Sequence, residues 1–275
     1  MATMEISAAD VFKLRKQTGA GMMDCKKALA EANGDFEQAI DVLRKQGQKL
    51  ASKRADRDAS EGFVLGYVNG SKASILVLNC ETDFVAKNED FGKLVDKFKN
   101  AAISSGAQNL TELLAASVDG ISAAEKVSEQ TGVIGEKLDL SFFESVEGAK
   151  VYAYNHPGNR VVSIVAFNQE ASDDIAKDVA MQIAAMNPVS LSKEDCSQEI
   201  IEKELEIAKD LLRQEGKPEE MIEKIAQGKL GKFFKESTLL EQAFIKDSKK
   251  SVKQYLAESD KDLTVVAFKR YALGE

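Results

Sequence analysis

The stretch EGFVLGYVNGSKASILVLNC, Glu61–Cys80, decides the fold. Two apolar runs flank Asn69-Gly70, the strongest short-range signal for a tight β-hairpin turn. The segment after it, FGKLVDKFKNAA, has amphipathic helical spacing. The same order recurs in EGAKVYAYNHPGNRVVSIVAF, Glu147–Phe167, which turns at His156-Pro157-Gly158-Asn159 and leads into the helical SDDIAKDVAMQIAAM. The first copy later reaches KLDLSFFESVEG and the second reaches KDLTVVAFKRYALGE, each able to add a third strand to its own hairpin. Two related α+β units follow, each an antiparallel sheet with helices on one face.

Upstream, the chain reads as three short helices. In SAADVFKLRKQTG, Val11 and Leu14 share one side, joined more weakly by Ala8, and Ser7 stands as an N-cap. The next helix stops at Asn33-Gly34. A third begins with Asp35 and Gln38 at capping-box spacing and carries Phe36, Ile40 and Leu43 on one face. A unit of this size is marginal alone, so it is expected to dock or be tethered. The charged LASKRADRDASEG reads as a boundary. The second α+β copy is interrupted by a charge-rich helical stretch broken at Glu215-Gly216-Lys217-Pro218. Ile201, Leu205, Ala208 and Leu212 form a stripe before the break, and Ile222 and Ile225 resume one after it. An antiparallel helical hairpin is predicted there, meeting a partner, a second copy or only itself. The resulting boundaries are about 1–50 for the helical domain, 51–61 for a linker, 62–147 and 148–275 for the two core subdomains, and 193–232 for the inserted hairpin.

Composition narrows the function. With 37 Lys and Arg against 45 Asp and Glu, the net charge of −8 argues against wholesale nucleic-acid binding, which needs clustered cations. The opening MATMEISAAD lacks a secretory pattern and the apolar run VVSIVAF is too short to cross a bilayer, so a cytoplasmic address without membrane attachment is expected. Three scattered cysteines, Cys25, Cys80 and Cys196, form neither a disulfide framework nor a zinc motif. A single histidine, His156, leaves little room for metal or acid–base chemistry built on His pairs. No phosphate-binding GxxxxGK[ST], GxSxG, HExxH or EF-hand loop occurs, and GAGMMD lacks the third glycine of a dinucleotide fingerprint. An enzyme with its own covalent chemistry is not expected, and no cofactor or metal is called for.

One feature is odd on these grounds. Between SILVLNC and the helix lies a turn, ETDFVAKN, that sets Asp83, Phe84 and Val85 side by side where a loop should be polar. Thr82 or Asp83 could cap a helix while Phe84 fills a gap between sheet and helix, the common fate of a phenylalanine.

LRKQTGAGMMDCKKAL, Leu14–Leu29, and NCETDFVAKN, Asn79–Asn88, both resemble the signatures of the elongation factor Ts family, and the order of units is similar over essentially the whole chain. The resemblance implies a ubiquitin-associated-like N-terminal domain and a guanine-nucleotide exchange factor for the GTPase elongation factor Tu, acting in translation elongation. It implies that Thr82, Asp83, Phe84 and Val85 approach the GTPase near its Mg²⁺ and phosphate site, with Phe84 as an apolar wedge. Leu14, Met22 and Met23 are carried over as an N-terminal contact region, although burial statistics favour ordinary three-helix packing for Leu14. His156, Gly158 and Arg160 on the second hairpin turn are carried over as a third region, and a solvated turn would explain them almost as well. The inserted hairpin could pair two copies into a homodimer. Three departures stand out. Val77 replaces a glutamate common in the family, NHPGNR replaces a tighter turn, and the sequence stops at Glu275 where some relatives continue into a further helical module. The rival reading is a non-catalytic adapter that binds ubiquitin-like or helical partners through the N-terminal domain.

Overall fold

The computed structural model describes residues 6–275; Met1–Glu5, part of the stretch read for a secretory signal, lie outside the described residues. The chain divides into two compact units. The first takes the chain up to Leu65, then Leu76–Glu144 and Ala272–Glu275; the second takes Gly66–Ile75 and Ser145–Tyr271.

The helical N-terminal part comprises α1 (Ala8–Thr18), α2 (Met22–Glu31) and α3 (Phe36–Lys53). Ser7 caps α1 by accepting from Asp10 N, and Gly19 ends it at φ 76°. Asp35 caps α3 by accepting from Gln38 N. After α2, Asn33 (φ 51°) and Gly34 (φ 84°) turn the chain, with Gly34 N donating to Leu29 O at 2.8 Å. Val11, Leu14, Cys25, Ala28, Leu29 and Ala39 form its buried core.

Next come β1 (Glu61–Asn69) and β2 (Lys72–Cys80), joined by Gly70-Ser71. The turn lies one residue later than Asn69-Gly70, because only Gly70 (φ 61°) takes positive φ, as a II′-type turn requires of its first central residue. Every residue of β2 after Lys72 is buried, Val77 fully. The one-turn α4 (Asp83–Ala86) and α5 (Glu89–Ser105) follow, and α5 buries Phe91, Leu94, Val95 and Phe98. Then come α6 (Leu110–Ala115), a short ribbon of β3 (Ser117–Val118) and β4 (Ile121–Ser122), α7 (Ala123–Ile134) and β5 (Asp139–Glu147), which completes a sheet of order β1-β2-β5.

The second unit repeats this plan. β6 (Lys150–Asn155) and β7 (Val161–Phe167) pair antiparallel with Val151 opposite Ala166 and Ala153 opposite Ile164. Helix α8 (Asp173–Met186) follows, then α9 (Gln198–Gln214) and α10 (Glu219–Ser237). A ribbon of β8 (Ala243–Phe244) and β9 (Asp247–Ser251), α11 (Val252–Ser259) and β10 (Val265–Ala272) complete a sheet of order β10-β7-β6. In both sheets the late strand joins the second hairpin strand, as the internal repeat predicts. Both copies also start the helix after the ribbon with a full capping box, Ser122 with Glu125 and Ser251 with Gln254. In chain order α9 and α10 stand where α6 stands in the first copy, and they bury Ala208, Leu212, Ile222 and Ala226 between them. Backbone bonds from Val189 N to Ser237 O and from Leu239 N to Ser190 O close the base of this insertion. Among the described residues no helix is long and apolar enough to cross a membrane.

Candidate functional site

Strand β2 ends at Cys80, and the chain must turn before α5. Thr82, extended at φ −126°, caps α4 by accepting from Val85 N, and Asn88 caps α5 by accepting from Asp90 N. Between these caps lies one helical turn without a single buried side chain. Phe84 is 84% exposed, more than any other large apolar residue among those described. Asp83 is half-buried and its carboxylate accepts from Lys87 Nζ at 2.6 Å, one helical turn on. That hydrogen bond is the main reason its carboxyl lies below the usual carboxylate range.

The start of the turn is tied to a distant loop. Thr82 donates twice to the Glu136 carboxylate, from its backbone N at 3.0 Å and from Oγ1 at 2.7 Å. Next door, Lys137 N donates to Glu81 Oε1 at 2.6 Å, and Arg54 Nη1 reaches the same oxygen at 2.6 Å. The Lys137 amide is the largest cause holding the Glu81 carboxyl low, followed by Arg54. Lys137 Nζ also donates to the carbonyls of Ala55 and Arg57, just beyond α3. Glu136 reaches this position because Gly135, at φ 84°, ends α7 and redirects the chain. Cys80 Sγ donates to Thr82 O at 3.1 Å, and burial, reinforced by the Glu136 charge, pushes its thiol up to about 12.

Met22 and Met23 occupy the first turn of α2, which Gly21 opens without a side-chain cap. They are 40% and 63% exposed, whereas Leu14 is fully buried in the three-helix core. Leu14 therefore serves that core and presents no side-chain surface. Phe12, 63% exposed on α1, escaped the sequence reading, although its place beside Val11 puts it off the Val11–Leu14 stripe.

The β6–β7 turn belongs to the second unit. Asn159 N donates to His156 O at 3.1 Å, with Pro157 and then Gly158 (φ 92°) between them, as in a type II turn. His156 is exposed and its Nδ1 lies 3.1 Å from Tyr154 Oη. Gly158 and Arg160 are exposed as well. The neighbouring Asn155 bonds Gly66, which lies inside β1 and in the same unit, in both directions, at 2.7 and 2.8 Å.

No group of three His, Cys, Asp or Glu side chains among the described residues is placed to hold a metal ion. The turn instead offers an apolar ring and an ionised carboxylate on a clamped base.

The family model described as elongation factor TS matches residues 81–275. The chain is 54% identical over 274 residues to elongation factor Ts of Christiangramia forsetii, covering 98% of this chain and 99% of that protein. It is 52% identical over 278 residues to the protein of that name from Flavobacterium psychrophilum, with both chains covered in full. To its namesake from Porphyromonas gingivalis it is 48% identical over 272 residues, covering 98% and 99%. Motifs, order of units and similarity along the whole length agree, and the chain belongs to the elongation factor Ts family.

Proposed function

We propose that this chain is a guanine-nucleotide exchange factor that binds elongation factor Tu and promotes GDP release by disturbing its Mg²⁺ and phosphate site. The observation that carries this reading is the exposed Phe84, set beside Asp83 on a turn that buries none of its own side chains. Because coupling between sites is reciprocal, a partner that prefers the nucleotide-free GTPase lowers its nucleotide affinity by the same factor. Phe84 enters as the wedge, and the Asp83 carboxylate alters the charge balance around the metal. The chain itself makes and breaks no covalent bond.

Magnitudes require more than the wedge. Accelerating release by about 10⁴-fold takes roughly 5.5 kcal/mol off the barrier. Burying one Phe side chain contributes about 1.5–3 kcal/mol. The remainder falls to other contact regions, for which Met22 and Met23 on α2 and the His156–Arg160 turn are the candidates. The α9–α10 hairpin is a further candidate, either against the GTPase or against a second copy of the chain.

Release of a fluorescent GDP from matched elongation factor Tu, with wild-type chain and with Phe84→Ala, tests the reading. Large acceleration by wild type is expected, reduced roughly 10- to 150-fold in the variant if the ring's burial is lost. No acceleration by wild type would overturn the exchange reading in favour of the adapter.

A further inference from the structure

We propose that Glu136 is a positioning residue for nucleotide release, holding the Thr82 end of the turn so that Phe84 is presented in one orientation; this rests on the exchange reading above. A single helical turn fixes several backbone dihedrals for very few hydrogen bonds and does not persist alone. Packing holds α4 only weakly, since none of its side chains is fully buried and Asp83, Val85 and Ala86 are no more than half-buried. Within it, the Asp83–Lys87 pair ties the turn only to itself. Orientation must therefore be imposed from the ends.

At the N-terminal end the fixing group is the Glu136 carboxylate, which uses one oxygen for Thr82 N and the other for Thr82 Oγ1. Hydrogen bonds to a carboxylate are among the stronger ones, and a bidentate arrangement fixes direction as well as distance. The neighbouring residues bond in the opposite sense, Lys137 N to Glu81 Oε1. Residues 81–82 and 136–137 thus lock reciprocally, which sets both the position and the register of the segment leading into Phe84. Without Glu136, the Thr82 amide loses its partner and the Thr82 hydroxyl is left to Val85 N, at 3.5 Å. The turn then samples several orientations, and the apparent strength of any docking scales with the fraction that is competent. Glu136 needs no contact with the GTPase for this.

The test is a double-mutant cycle in the GDP-release assay on the full chain, using wild type, Phe84→Ala, Glu136→Ala and the double variant, with Glu136→Gln as the conservative replacement. Glu136→Ala is expected to lower the maximal release rate roughly 10- to 100-fold. Glu136→Gln, which can still accept from Thr82 N and offer its amide to Oγ1, recovers most of that. On the Phe84→Ala background, Glu136→Ala is expected to add less than about a further twofold loss, because its effect passes through the ring. Wild-type rates in Glu136→Ala, or an equal loss with and without the Phe84 ring, would overturn the proposal. A wild type that fails to accelerate release would remove the exchange reading and this proposal together. A normal wild type with Phe84→Ala equally active would remove the wedge role alone, and the proposal with it. If Glu136→Ala does not fold, Glu136→Asp carries the same cycle, since it keeps the charge but draws the carboxylate back by one methylene.

Discussion

Replacing Gly132 by alanine pushes apart two helices that now meet backbone to backbone. A Cβ on Gly132, in α7, would lie 2.6 Å from the Cα and 3.3 Å from the N of Gly47, in α3. These are backbone atoms, so no rotamer change clears them. Carbon atoms pack best at about 3.5–4.0 Å, so the helices must part by roughly 1 Å. Overpacking of this kind costs about 1–3 kcal/mol. Alanine returns about 1 kcal/mol through its better helix propensity. The net expectation is a loss of about 1 kcal/mol, worth about 2–4 °C in Tm for a chain of this size. Gly47→Ala should share the sign, since its Cβ would meet Ser128 O at 3.0 Å and Glu129 Cα at 3.3 Å.

The same substitution reverses sign in α10. Gly228 and Gly231 are exposed and have ordinary φ, and a Cβ on either meets nothing within 4 Å. There only propensity and unfolded-chain entropy act, and each alanine should stabilise its own unit by about 0.5–1 kcal/mol. Urea unfolding of the four single variants, followed by circular dichroism, supplies the comparison. If Gly132→Ala raised the midpoint as much as Gly231→Ala, α3 and α7 could not be in backbone contact, and the reason given for two facing glycines would fail.

Leu14→Ala is expected to destabilise the three-helix core by about 2–5 kcal/mol. Met22→Ala and Met23→Ala should leave stability within about 0.5 kcal/mol while weakening association with elongation factor Tu. Titrations of GDP release against chain concentration, alongside urea melts, separate these outcomes; a strongly destabilised Met23→Ala would refute the surface role. Alkaline stability should depend on Cys80, whose folded thiol is pushed up to about 12 from an ordinary 9.0. Below pH 9 the thiol is protonated in both states. Between those values only the unfolded chain ionises, so stability falls as pH rises, by up to about 1.4 kcal/mol per pH unit. Urea midpoints between about pH 9 and 11 should fall less steeply in Cys80→Ala by that slope; parallel slopes would show that the Cys80 thiol does not contribute.

The hairpins were legible because β1, β2, β6 and β7 are long enough to carry a pattern and their turns use glycine at positive φ. The third strands were legible only through the repeat, which supplied a reason to look for them far downstream. The two ribbons were not. Strands of two residues have no periodicity, and the one usable signal, the capping spacing Ser122–Glu125 matched by Ser251–Gln254, lies in the helices that follow them. At the candidate site, sequence placed Thr82, Asp83, Phe84 and Val85 on one turn, but the exposure of Phe84 runs against burial statistics and came only with the family motif. The clasp was out of reach, because Glu136 lies 54 residues from Thr82 and no local spacing joins them. Leu14 illustrates the opposite limit: a motif residue can mark a family by holding its core together.

The exposure of Phe84 and the clamping of Thr82 belong to one piece of energetics. A ring that already packs against its own chain gives up those contacts when it moves into a partner, and the net gain is small. Phe84 has almost none to lose, so on the exchange reading nearly all of the roughly 1.5–3 kcal/mol from burying it is available on docking. An exposed ring on a loose loop would lose part of that again, since ordering a side chain at an interface costs about 0.5–1.5 kcal/mol and the backbone adds more. The Thr82 cap, the Glu136 carboxylate and the Glu81–Lys137 bond meet that ordering cost during folding. Nothing in the turn's own packing requires them, which is why their removal should appear in the rate of nucleotide release before it appears in the stability of the fold.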